Sequence, residues 1–283
     1  MSNDMSAERI AQEPAKRLYE ALFEGKSPEA IAASLANGIQ AVIANVERLL
    51  GDIAYLLASG RIASASFLLA TADEETAKVF ILIDACRVDP AKHAHVLKSL
   101  CKAFYNHRLK HAYNAMRRYP PAFNGVATAW CYWTKPWWPE PADPESGEPA
   151  MPHSTYFDRE MPLYVDWDFY SGKWMLPDNS TNASKFGREP ELNRLDVLRG
   201  DLGQIKLAFE AGLLSSAALA CLNEEWRNAY VNEKTSVAEI EEVQNGLVEH
   251  LVSKLRIPEE TVRRSPLFAW PLYHFTAMRS DNT

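Results

Sequence analysis

The segment from Ile62 to Cys86 constrains the fold more than any other, because it reads as a buried helix that carries charge in its middle. Ile62 to Ala72 (IASASFLLATA) holds no charge, and Val79 to Ile83 are again apolar. A helix apolar on every side belongs in the interior of a domain. Between the two runs stand Glu74, Glu75 and Lys78. On a helix Glu74 and Lys78 are i,i+4 neighbours, and Glu75 lies three residues before Lys78. In water each such pair contributes only ~0.2–0.5 kcal/mol. In an interior the same charges are costly to desolvate, so two readings stand side by side: a structural ion-pair cluster and a functional cleft.

The flanking sequence supplies partners for that helix. Residues 5–24 read as a helix closed by Gly25, and Ser27-Pro28-Glu29 is a strong helix start. Ile39, Val42, Ile43, Val46, Leu49, Leu50, Ile53 and Leu57 recur at helical spacing until Gly60. After Cys86, Asp89 and Pro90 predict a fourth helix that runs on to Pro120-Pro121, with Leu97, Leu100, Cys101, Phe104, Ala112, Ala115 and Met116 as its apolar stripe. Short connections make neighbouring helices antiparallel, so residues 1–119 predict an up-and-down helical bundle.

From 120 to 190 the pattern changes. WCYWTKPWWPEPADPESGEP is rich in Pro and Trp and has no helical period. Alternation over Tyr164–Phe169, a Ser171-Gly172 turn and Lys173–Leu176 predict a β-hairpin. The region is expected to be an insertion packed on the bundle through its aromatic residues. Residues 191–283 predict further helices, near 190–213, 215–231, 236–255 and 258–266. The expected fold class is therefore mainly α.

Charge and cysteine usage narrow the function. The formal net charge is −7, yet no acidic residue lies between Asp89 and Glu140, where Lys92, Lys98, Lys102, Arg108, Lys110, Arg117, Arg118 and Lys135 stand among aromatic side chains. Such a patch suits either a polyanion or the protein's own acidic helices. Four well-separated cysteines without a CxxC pair, a polar N-terminus and no membrane-length apolar run lead us to expect a cytoplasmic protein with reduced thiols and no membrane contact. No Gly-rich phosphate loop or G-x-S-x-G elbow is present, which removes several large enzyme classes.

Across the predicted hairpin, Lys78 falls opposite Lys98 and Glu74 opposite Lys102, with His107 beyond them. Glu75, Lys78, Lys102 and His107 are expected to converge in one cleft, with Lys110 and His111 on the same side as His107. Carboxylate, ammonium and imidazole together have the parts for proton transfer and for stabilising a phosphorane. His107 and His111 are also spaced for a metal, but no third ligand is placed as in zinc hydrolases, so neither metal nor other cofactor is expected.

The segment Asn45 to Leu82, NVERLLGDIAYLLASGRIASASFLLATADEETAKVFIL, resembles the signature of the AbiV family of abortive infection proteins. Asn45, Leu49, Asp52, Gly60, Ala65, Glu74, Glu75 and Lys78 match in order, and His107-Arg108-Leu109-Lys110 fits the family's downstream His-x-x-Lys. The likeness covers about Pro28 to Arg118 and stops before the insertion. It implies a HEPN-like bundle, often dimeric, and antiphage defence by abortive infection. It also implies either a metal-independent endoribonuclease or an inhibitor of translation. On that reading Glu74, Glu75, Lys78, His107, Lys110 and His111 are the candidate catalytic residues, with Glu75 orienting His107 or Lys78. Lys98, Lys102, Arg108, Arg117 and Arg118 would hold RNA. The usual HEPN pairing of Arg and His four to six residues apart is absent from a single helix: Arg87 and His93 have the spacing but Pro90 separates them. A non-catalytic helical protein that binds a phage or host translation component is the competing expectation.

Overall fold

A computed structural model describes residues 4–118, 130, 166–168, 173–175, 189–229, 235–268 and 271–273. The fold is mainly helical. Helix α1 spans Asp4–Leu22, α2 Pro28–Ala58, α3 Ile62–Cys86, α4 Ala94–Tyr105 and α5 His107–Arg118. After the segment between them come α6 (Glu189–Glu210), α7 (Ser216–Trp226), α8 (Val237–Leu255) and the short α9 (Glu259–Arg263). Two three-residue strands, Asp166–Asp168 and Lys173–Met175, pair antiparallel with Trp167 opposite Trp174. Of the Trp-rich stretch only Trp130 is described; Trp133, Trp137 and Trp138 lie outside the described residues. Trp130 is buried and meets the Tyr113 ring edge to face at 5.5 Å.

Local chemistry explains the main boundaries. Ser27 accepts from the Ala30 amide and Pro28 occupies the first turn of α2, where its missing N–H costs nothing. Gly60 ends α2 at φ +72°, a backbone conformation that side chains oppose. Helix α3 then runs through the centre, with 16 of its side chains buried, and packs on α2, α5, α6, α4 and α7. The α2–α3 approach is close: a Cβ at Gly38 would stand 3.3 Å from Leu82 Cδ1.

The predicted fourth helix is two helices, and it starts later than expected. Asp89 uses its carboxylate on the Ala91 amide, forming a turn through Pro90, and α4 begins only at Ala94. Asn106 then adopts an extended backbone and its side chain accepts from the Leu109 amide. That is an N-cap: it closes α4 and opens α5 at His107. Because of this break, α5 docks along α3 while α4 packs chiefly against α1.

A second feature concerns Arg87, whose spacing to His93 the sequence had set apart. It is buried, donates to Asp84 at 2.5 Å and to the Leu267 carbonyl at 2.7 Å, and lies over the Trp226 ring. Asp84 also accepts from the Tyr113 hydroxyl at 3.0 Å and the Leu272 amide at 2.8 Å, with Arg117 at 3.9 Å. One carboxylate thus ties α3, α5 and the C-terminal segment together. The thiols of Cys86 and Cys101 are buried and unpaired, and burial pushes both up to about 12, which makes them poor nucleophiles. Among the described residues no helix is long and apolar enough to cross a membrane.

Removing one partner of a buried ion pair leaves the other charge stranded, typically at a cost of about 3–5 kcal/mol. Asp84→Ala is therefore expected to lower the unfolding free energy by that order, read as a lower urea midpoint with little change in slope. A wild-type midpoint would show that the two arginines find other compensation.

Candidate functional site

The charges that interrupt α3 separate into two groups. Glu75 and Lys78 pair at 2.5 Å, both about one-sixth exposed, and Lys78 also lies over the Phe104 ring at 4.7 Å. Asn45 donates to the other oxygen of Glu75 at 3.2 Å, and Arg48 joins Asn45 to Asp52. This group runs along the α2–α3 seam and does not reach His107.

Glu74 forms the other group. Its carboxylate is 3 % exposed, and α5 supplies its partners. Lys110 Nζ donates to Oε2 at 2.8 Å, and His107 Nδ1 meets the same oxygen at 2.6 Å. His111 Nε2 stands 3.4 Å from Oε1. Of the two partners expected for Glu75, Lys78 is met and His107 is not: Glu74 holds His107, because the rotation of α3 turns Glu75 toward α2. Lys102, expected in the same cleft, is exposed on α4, since the break at Asn106 separates its face from that of His107.

Burial alone would raise the Glu74 carboxyl, but the hydrogen bonds from His107 and His111 and the charge of Lys110 outweigh it and hold the group far below the carboxylate range. Lys110 is pushed down, because burial opposes its charge more than Glu74 supports it. His111 is buried too, which disfavours its cation, yet bonding to Asp73 and Glu74 raises it above the usual imidazole value. Asp73 is likewise held low against burial by His111 and Arg118.

Against these buried groups His107 stands apart, for its side chain is 47 % exposed. A carboxylate on Nδ1 takes the N–H there, so the lone pair of the neutral ring lies on Nε2. The arrangement resembles the orienting acid and imidazole of a catalytic triad: a ring held at one nitrogen with nearly half of its side chain in solvent. Lys110, by contrast, is too buried to touch a ligand, so its role is to fix Glu74.

The basic residues also divide. Lys98 and Lys102 are exposed on α4, and Arg108 is partly exposed beside His107. Arg117 is sheathed by Phe80 and faces Asp84, and burial pushes it down to about 10. Arg118 binds Asp73 and Asp201. For these last two, the protein's own acids are the partners. Among the described residues no group of three or more His, Cys, Asp or Glu is placed to hold a metal ion.

Residues 34–186 match the family model described as AbiV, of the HEPN group, which is more than half of the chain. The chain belongs to the AbiV family. The match runs through the insertion, so the likeness does not stop at Arg118 as the motifs alone indicated. No curated protein and no solved structure matches the chain. An AbiV protein is an abortive infection protein, and that is the level at which the family assigns a role. All of α3, α4 and α5 falls within the matched segment.

Spacing did not single out Asp73, which lies in the same run of acids and bonds His111 at 3.4 Å, or Asn106, whose signal was an Asn three residues before an amide it could cap. Asp201 had no local signal at all.

The pH dependence of stability follows from His111. A group raised in the folded state contributes stability below its unfolded value, near 6.5, and loses it as pH rises through the folded value. The stability advantage of wild type over His111→Gln is expected to be largest on the acid side of about pH 6.5 and to shrink toward alkaline pH. It fades again only where Asp73 and Glu74 take up protons. Urea unfolding across a pH series measures it, and a pH-independent difference would mean that His111 carries no charge.

Proposed function

We propose that this member of the AbiV family defends its host by cleaving RNA without a metal ion, with His107 as the acid–base group. The observation that carries this reading is the 2.6 Å contact between a buried Glu74 and a half-exposed His107. In the proposed step His107 Nε2 takes the proton of an RNA 2′-hydroxyl. The 2′-oxygen bonds to the adjacent phosphorus, the bond from phosphorus to the 5′-oxygen breaks, and that oxygen leaves with a proton from solvent. The products are a 2′,3′-cyclic phosphate and a 5′-hydroxyl. Glu74 orients the ring and steadies its cation, as the acid of a triad does. Lys110 and His111 keep Glu74 ionised and in place. Lys98, Lys102 and Arg108 hold the RNA backbone, and Lys78 with Glu75 shapes the neighbouring wall. The protein is expected to act in the cytoplasm as a homodimer.

Purified protein incubated with cellular RNA in EDTA tests the proposal. Loss of a general acid–base group typically costs about 10²–10⁴-fold in rate. His107→Ala is expected to fall by at least about 10²-fold, and Glu74→Gln to fall while the ring remains. Cleavage that needs added metal overturns the mechanism. An inert wild type whose phage protection survives in His107→Ala supports instead a helical protein that binds a phage or host translation component.

A further inference from the structure

The Glu74–His107 pair is one end of a longer sequence of charges. His111 presents Nε2 to Glu74 Oε1 and Nδ1 to Asp73 Oδ2, each at 3.4 Å. Asp73 Oδ1 accepts from Arg118, and the same guanidinium donates to Asp201 of α6 at 2.6 and 2.8 Å. Helix α6 lies past the residues that the family model matches. We propose that Asp201, Arg118, Asp73 and His111 are positioning residues through which α6 sets the orientation and charge of His107. This inference rests on the reading of His107 as the reacting group.

Three features support it. An imidazole flanked by a carboxylate at each nitrogen suits both only when both nitrogens carry hydrogen, so His111 acts as a cationic clamp between Asp73 and Glu74. Every member of the sequence is at least two-thirds buried at its side chain except His107, so screening by water is weak along it. The charges also balance without His107. From α3 come Asp73, Glu74, Glu75 and Lys78, from α5 Lys110, His111 and Arg118, and from α6 Asp201. With His111 protonated, four carboxylates face four cations. Removing any one of these carboxylates leaves the set with an excess positive charge beside the Glu74–His107 contact.

The test is a carbon–proton NMR titration of the imidazole signals on the full chain, with amide spectra to report the fold. Wild type, Asp73→Asn, Asp201→Asn and Asp201→Glu are compared. Asp201→Asn is expected to lower the His107 midpoint by about half a pH unit, and Asp201→Glu to restore it. Asp73→Asn is expected to lower the His111 midpoint. If Asp73→Asn fails to fold, Asp201→Asn, at a side chain 30 % exposed, decides alone. An unchanged His107 midpoint in a folded Asp201→Asn protein overturns the proposal, whether or not His111 shifts. RNA cleavage by the same samples is read separately: an inert wild type counts against the nuclease, while the midpoints still decide whether α6 is coupled to His107.

Discussion

A carboxylate held almost out of water inside a helix bundle dictates much of this architecture. Glu74 cannot remain ionised at 3 % exposure unless cations and donors surround it, and α5 brings Lys110, His107 and His111 to it. Each comes from the first turns of α5, so the helix has to begin where it does. Asn106 provides that beginning by ending α4 with an extended residue and capping the next helix with its side chain. Had α4 continued straight, as its apolar stripe suggested, His107 and Lys110 would have followed the α4 axis away from α3. A single capping hydrogen bond and a buried acid therefore fix the same feature from two directions.

Asp84 repeats the device further along α3. There the compensating groups are Arg87, Tyr113, Arg117 and the Leu272 amide, and the chain brought in is the C-terminal segment. The two buried acids differ in what they leave at the surface. Around Asp84 the basic partners are enclosed, and the cluster binds elements together. Around Glu74 one partner, His107, keeps nearly half of its side chain in solvent. Burial of the acid with exposure of the base is what makes this cluster, and not the one at Asp84, the candidate for chemistry.

Much of the Glu74 site was legible because the interruption of an apolar helix is a local signal. Glu74 could be named from charge placed where leucine would serve, and His107, Lys110 and His111 from their place on the facing helix and from the His-x-x-Lys likeness. The choice between Glu74 and Glu75 was not legible, since adjacent helical positions point about 100° apart and only the packing of α2 decides which faces it. The boundaries of α2 followed from Ser27, Pro28 and Gly60, whose chemistry is local. The arginines were misread for a related reason. A basic run looks alike in sequence whether it faces water or buried carboxylates, and the acids that claim Arg118 and Arg117 lie on other helices, Asp201 being 83 residues away from Arg118. Long-range ion pairs leave no periodic trace.

The electrostatic balance of the interior has a consequence for chemistry. Lys110 and Arg118 are too deeply engaged to meet a substrate, so in the proposed cleavage the exposed cations of α4 and early α5, or His107 itself, would meet the negative charge that develops. A neutral imidazole backed by an ionised, buried carboxylate gains a stabilised cation on taking up a proton, because Glu74 already points at it and no solvent has to reorganise. Preorganisation of this kind depends on Glu74 staying charged through the cycle. With Lys110 on one oxygen and His111 facing the other, the acid is held in that state before any substrate arrives.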